Sequence, residues 1–268
     1  MEQYSKIRSE LYRVQLTRWA DLINIRSPYT LVKAVYYIET ASLFLYVTQK
    51  IIKSPNIVTF LYMIVGVVGA FLLNSKDANL FFLGVFMVFT KGTFDWADGP
   101  LARRLSKTSF LGHALDVYGA YITDMAFRIS FVYYVLGYYP DLMFLFPIIA
   151  FVLLIGKLNS FADILYYQKS AESISNKDKT GRDNKLEEGL KNPKNAAGIV
   201  KWYHRYEAIL DARARSIDFL LLVLLVDFVF DYDLSILLLF LAFLIVLRSV
   251  VMYAAGAYYT FNVYRGNS

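Results

Sequence analysis

The chain has 268 residues, 57% of them hydrophobic and 17% aromatic, with a formal net charge of +6 and no cysteine. That much apolar surface excludes an ordinary water-soluble domain of this length. The missing cysteine excludes disulfides and thiolate chemistry while leaving the redox compartment open.

Residues 1–26 place Ile7, Leu11 and Val14 on one face with Arg and Glu opposite, the pattern of an amphipathic helix. Its predicted place is the cytoplasmic membrane interface, with Trp19 near the headgroups. Lys6, Arg8, Arg13, Arg18 and Arg26 interrupt any continuous apolar core, so no cleavable signal peptide is expected here. Pro28 ends the helix. Residues 29–52 are apolar but contain Lys33, Glu39 and Gln49; because charges inside a span are costly, a second interfacial helix is predicted rather than a seventh span. Ser54-Pro55-Asn56 then reads as a helix start, serine as cap and proline in the first turn.

Six stretches are long and apolar enough to cross about 30 Å of hydrocarbon as helices. They are 57–73, 78–96, 110–136, 142–166, 217–230 with its flanks, and 234–259. Residues 168–212 are the only long polar stretch; Gly181, Gly189 and Pro193 among many charges predict that part of it is a mobile loop. The predicted architecture is an all-α polytopic membrane protein. Residues 1–53 form the interfacial helices, and residues 54–268 form a six-helix membrane domain with a cytoplasmic loop at 168–212.

Charge placement gives orientation. The connections after the first, third and fifth spans hold Lys76 beside Asp77, then Asp141, then Asp231 and Asp233. Lys and Arg crowd the other side: the N-terminal region, 103–107 and 169–215. By the positive-inside rule both termini face the cytoplasm. The same rule accounts for the basic balance without a nucleic-acid partner.

Three carboxylates sit where the surrounding sequence is membrane helix. Asp95 and Asp98 are three residues apart and share a helix face. Asp116 follows on the next helix, beyond a short turn at 105–109 that makes the two helices neighbours. The three are thus predicted to converge near the cytoplasmic ends of the second and third spans, as hard oxygen ligands suited to Mg2+, Mn2+ or Ca2+. Gly99 and Gly112 leave the backbone open to a ligand or a neighbouring helix. Arg103, on the cytoplasmic edge, can pair with a phosphate or with one of the carboxylates.

Asp95, Asp98, Gly99, Ala102, Arg103, Gly112 and Asp116 occupy seven of the eight fixed positions of D-x2-D-G-x2-A-R-x8-G-x3-D-x3-D. This pattern resembles that of the CDP-alcohol phosphotransferases, membrane enzymes of phospholipid synthesis, and the close match covers roughly residues 54–125. The resemblance implies transfer of a substituted phosphate from a CDP-linked lipid, usually CDP-diacylglycerol, to a small alcohol, with release of CMP. It implies Mg2+ or Mn2+, as two ions held by Asp95, Asp98 and Asp116, with Ca2+ as a possible inhibitor. Asp98, Gly99, Ala102, Arg103 and Gly112 would bind the nucleotide end of the donor, and members of the family commonly form homodimers.

Ala120 stands where the family has its fourth aspartate, which touches metal and takes the proton of the acceptor hydroxyl. Alanine does neither. Asp124 shares the face but lies about 12 Å along the helix from Asp116, whereas a metal pair spans only about 4 Å. Three readings follow: a laboratory substitution that inactivates the enzyme, a naturally inactive member, or an enzyme whose base has moved.

The plainer readings stand beside these. The aspartates can form a structural ion-pair cluster with Lys91, Arg103 and Arg104, and Asp124 can simply pair with Arg128, four residues on. Lys157, Asn159 and Asp163 line an acceptor pocket or join helices. Arg213 and Arg215 bind an acceptor phosphate, as the resemblance suggests, or anchor the positive-inside orientation. His113 and His204 have no partner at ligand spacing. From another class comes a cation transporter using the aspartates as its ion site; a catalytically silent lipid-binding relative is a third possibility.

Overall fold

The computed structural model describes residues 2–19, 28–48, 50–155, 213–230 and 232–265, and all regular structure among them is helical. In chain order the helices are α1 (Glu2–Trp19), α2 (Pro28–Thr48), α3 (Pro55–Leu72), α4 (Ala78–Thr90), α5 (Gly92–Arg104) and α6 (Phe110–Leu136). Then come α7 (Pro140–Ile155), whose opening Pro140–Leu145 is 3-10, α8 (Arg213–Phe230) and α9 (Ser235–Arg265).

Two segments among the described residues are long and apolar enough to cross a membrane: Pro55–Leu72 and the run Ala78–Arg104. Pro140–Ile155 and Ser235–Val251 are apolar but shorter. This is fewer than the six spans expected from sequence. The 27-residue α6 has the length, but Asp116, Asp124 and Arg128 lie within it. The expected span at 142–166 is described only as far as Ile155, and the polar stretch 168–212 lies outside the described residues up to its last position.

The second segment also runs further than expected. It passes through a joint at Lys91, which is in helical conformation, and continues to Arg104. The Tyr37 hydroxyl donates to the Phe89 carbonyl beside that joint, at 3.1 Å. Asp77 starts the segment by accepting from the Leu80 amide at 3.1 Å, an ordinary N-cap. Ser54 does occupy the cap position of α3, as expected, but its hydroxyl makes no capping bond; Pro55 in the first turn starts that helix.

The structure divides into two compact units, residues 1–130 and 131–268. In the first, α3 packs on α4 and α5, and α2 packs on α5 and α1. The α3–α4 crossing is close because both helices are bare there: a Cβ on Gly84 would lie 2.9 Å from the Gly69 carbonyl oxygen. The rest of α3 separates into two faces. Val58, Thr59, Tyr62, Gly66, Gly69 and Ala70 are buried, while Ile57, Phe60, Ile64, Val68 and Phe71 are exposed at helical spacing. A helix apolar on both faces suits a lipid surround.

The amphipathic face of α1 is turned into the protein. Ile7 and Leu11 are buried in one core with Ile38, Ala41, Leu45, Val58, Ala97 and Leu101. The charge that interrupts α2 has its own partners: Glu39 receives Arg8 at 2.6 and 2.8 Å, the Tyr12 hydroxyl at 2.7 Å and the Tyr4 hydroxyl at 3.3 Å. In the second unit Asp227 of α8 is similarly held, receiving the Tyr134 hydroxyl at 2.8 Å and the Tyr138 hydroxyl at 2.6 Å.

Candidate active site

α5 carries Asp95 and Asp98, and its end decides where α6 begins. Ser106 has φ 51, the left-handed conformation that terminates helices. Around it the Ser106 amide donates to the Arg103 carbonyl at 3.1 Å and the Lys107 amide to the Ala102 carbonyl at 2.9 Å. This doubly closed end lets the chain reverse within 105–109, and Ser109 then caps α6 by accepting from the Gly112 amide at 3.0 Å.

The turn brings the motif's two helices together. Asp95 and Asp116 approach closely enough for their carboxyl groups to hydrogen-bond, with Asp98 and Lys91 as further electrostatic neighbours of Asp95. Asp98 is buried, with Asp116 as an electrostatic neighbour; the Thr59 hydroxyl of α3 donates to its Oδ2 at 2.8 Å, and the Gly99 amide also serves it. Arg103 is exposed, is an electrostatic neighbour of Asp98, and folds its guanidinium back over Gly99, 3.4 Å from where a Cβ would stand. At Gly112 a Cβ would meet Ser109 Oγ at 3.2 Å and Asn56 Oδ1 at 3.6 Å, so the start of α3 also reaches the motif.

The expected three-carboxylate shell is therefore only partly drawn together. Among the described residues no three Asp, Glu, His or Cys side chains are arranged to hold a metal ion. Asp98 accepts from Thr59 of α3 while keeping Asp116 as an electrostatic neighbour. In donor chemistry the residues still fit a hard divalent cation: two carboxyl groups face each other at hydrogen-bond range, and such a pair requires either a shared proton or a cation.

Ala120 follows Asp116 by one turn, and its carbonyl lies 3.2 Å from the Thr123 hydroxyl. Thr123 Oγ1 is also 3.0 Å from the Tyr62 hydroxyl. Asp124, one turn beyond Ala120, is paired with Arg128 at 2.9 Å, both groups buried. Of the expected ion-pair cluster, Lys91 and Arg103 stay near the aspartates, whereas Arg104 pairs with Glu10 of α1 at 3.2 Å. Lys157, Asn159 and Asp163 lie outside the described residues, as do the side chains of Arg213 and Arg215, whose backbone opens α8.

Sequence reasoning named Lys91 only as an ion-pair partner of the aspartates and did not place Asn56, Thr59 or Tyr62 beside them. A signal for the last three was present: polar groups recur every third position along one face of an otherwise apolar helix. No curated protein and no solved structure matches the chain. The family model of CDP-alcohol phosphatidyltransferase matches residues 52–181, a range that contains the motif from Asp95 to Ala120 together with Asn56, Thr59, Tyr62 and Lys91. Over these residues the chain is similar to the CDP-alcohol phosphatidyltransferase family, whose activity is transfer of a phosphatidyl group from a CDP-alcohol.

Proposed function

We propose that the chain is a phospholipid-synthesis enzyme that uses CDP-diacylglycerol as donor and a small alcohol as acceptor, at the cytoplasmic face of the membrane and as a homodimer. The observation that carries this reading is the contact of Asp95 with Asp116, beside Asp98 and Arg103, at the family's spacing. The acceptor hydroxyl attacks the phosphorus of the donor, the bond from phosphorus to the CMP oxygen breaks, and the hydroxyl proton leaves to a base. Asp95, Asp98 and Asp116 would hold Mg2+ or Mn2+, which supplies neutralisation of the pyrophosphate and of the charge developing on the departing CMP.

The chain's own residues account for the rest. Arg103 offers an exposed guanidinium to a phosphate, and Gly99 keeps the backbone beneath it bare. The Thr59 hydroxyl bonded to Oδ2 orients Asp98 and leaves its other carboxylate oxygen for the ligand set. Position 120 lies where the proton of the acceptor hydroxyl would be taken, and Ala120 has no titratable atom to take it.

The test compares CMP release by this chain and by Ala120→Asp, in matched detergent, with Mn2+ or with chelator. A positioned base contributes about 10²–10⁴-fold, so a gain of at least about a hundredfold is expected, abolished by chelator. Equal rates in the two forms would overturn the assignment of position 120. Failure of either form to bind CMP would favour a transporter, which has no reason to hold a cytidine nucleotide.

A further inference from the structure

Lys91 is a buried lysine at the joint between α4 and α5, inside the segment that is long and apolar enough to cross the membrane. A lysine there is expensive unless its ammonium has a function or a partner. Three features hold it in place. Its stem runs against α3 at Gly66, where a Cβ would come within 3.3 Å of its Cδ. Its Nζ stands 5.8 Å from the centre of the Tyr62 ring, within range of cation–π attraction. One turn further along its own helix is Asp95, its electrostatic neighbour. Tyr62 in turn neighbours both Asp95 and Asp116. Ammonium, ring and the facing carboxyl pair thus share one locale, whereas the nearby Asp124 is already balanced by Arg128.

We propose that Lys91 is the resident counter-cation of the Asp95–Asp116 pair, holding the two carboxylates together in the absence of a divalent ion and setting how tightly such an ion binds. The inference rests on the metal-binding reading of these aspartates given above. A fixed positive charge this close opposes entry of a divalent cation, and it also removes the need for one in order to fold. Without it, the pair should seek metal more strongly and depend on metal for stability. Even at an effective dielectric of about 20, unit charges several ångströms apart interact strongly enough to change binding about tenfold or more.

The experiment titrates Mn2+ alone, without nucleotide, into the purified chain and the variants Lys91→Met, Lys91→Arg and Asp116→Asn. Bound ion is read by electron paramagnetic resonance, and thermal stability is measured in parallel. Lys91→Met is expected to bind Mn2+ about tenfold more tightly or better and to gain more in Tm on saturation; Lys91→Arg keeps the parent affinity. If Lys91→Met binds no more tightly than the parent while Asp116→Asn loses the ion, the counter-cation role is wrong and the metal reading stands. If Asp116→Asn binds as the parent does, the metal reading fails and the proposal fails with it. A Lys91→Met chain that folds only with Mn2+ supports the proposal. One that folds in neither condition is replaced by Lys91→Gln, judged by the same outcomes.

Discussion

Glu39 is a carboxylate placed midway along α2, and Arg8 is what makes it tolerable. The Arg8 hydrogen bonds, more than any other contact, pull the Glu39 pKa from 4.5 to about 2. A folded-state pKa depressed below the unfolded one contributes stability that is complete above the unfolded value and is lost as pH falls through the folded one. The contribution should therefore be constant above about pH 4.5 and vanish on descending toward pH 2. Thermal melts of the chain and of Glu39→Gln across that window should converge at its acid end; curves that stay parallel would show that the pair does not couple α1 to α2. At the same scale, the motif residues were legible because chemistry fixes their type and spacing. Thr59 was not, since its role depends on which helix faces α5, and periodicity within a single helix does not encode that.

At the scale of elements, the sequence shows where helices begin and run more clearly than how they end. Pro55 and Asp77 mark their helix starts openly. The end of α5 is closed by Ser106 in a left-handed conformation, and no glycine at that position announced it. An L-residue there carries strain that glycine avoids, offset by glycine's extra freedom in the unfolded chain. Ser106→Gly should leave stability unchanged or raise it by up to about 1 kcal/mol, and Ser106→Val should lower it by at least about 1 kcal/mol. Unfolding in mixed detergent micelles measures both, and a clearly destabilised Ser106→Gly would mean that the serine hydroxyl supports the turn. The amphipathicity of α1 was legible too, but not its destination. An apolar stripe fits a membrane surface and a protein groove equally well, and here α2 and α5 supply the groove.

For the whole molecule, the all-helical, membrane-like character was plain from composition, whereas the number of crossings was not. Buried charges such as Asp124 and Arg128 make α6 look less like a span than its length suggests. The 27 residues of Ala78–Arg104 rise about 40 Å as a helix, against roughly 30 Å of hydrocarbon. The absence of native cysteine makes orientation directly measurable. In intact cells an impermeant maleimide should label Lys76→Cys but reach Thr108→Cys only after permeabilisation. The reverse pattern would invert the orientation, and labelling of both would mean that this segment does not cross. Ile7 and Leu11 complete a core with Ala97 and Leu101, and Glu10 pairs with Arg104, 94 residues later. During synthesis, then, α1 and α2 leave the ribosome well before α5, the other wall of the groove, exists. The α5 side of the α1 apolar face is covered only once the motif helix emerges, so α1 reaches its final place after a helix made later than itself.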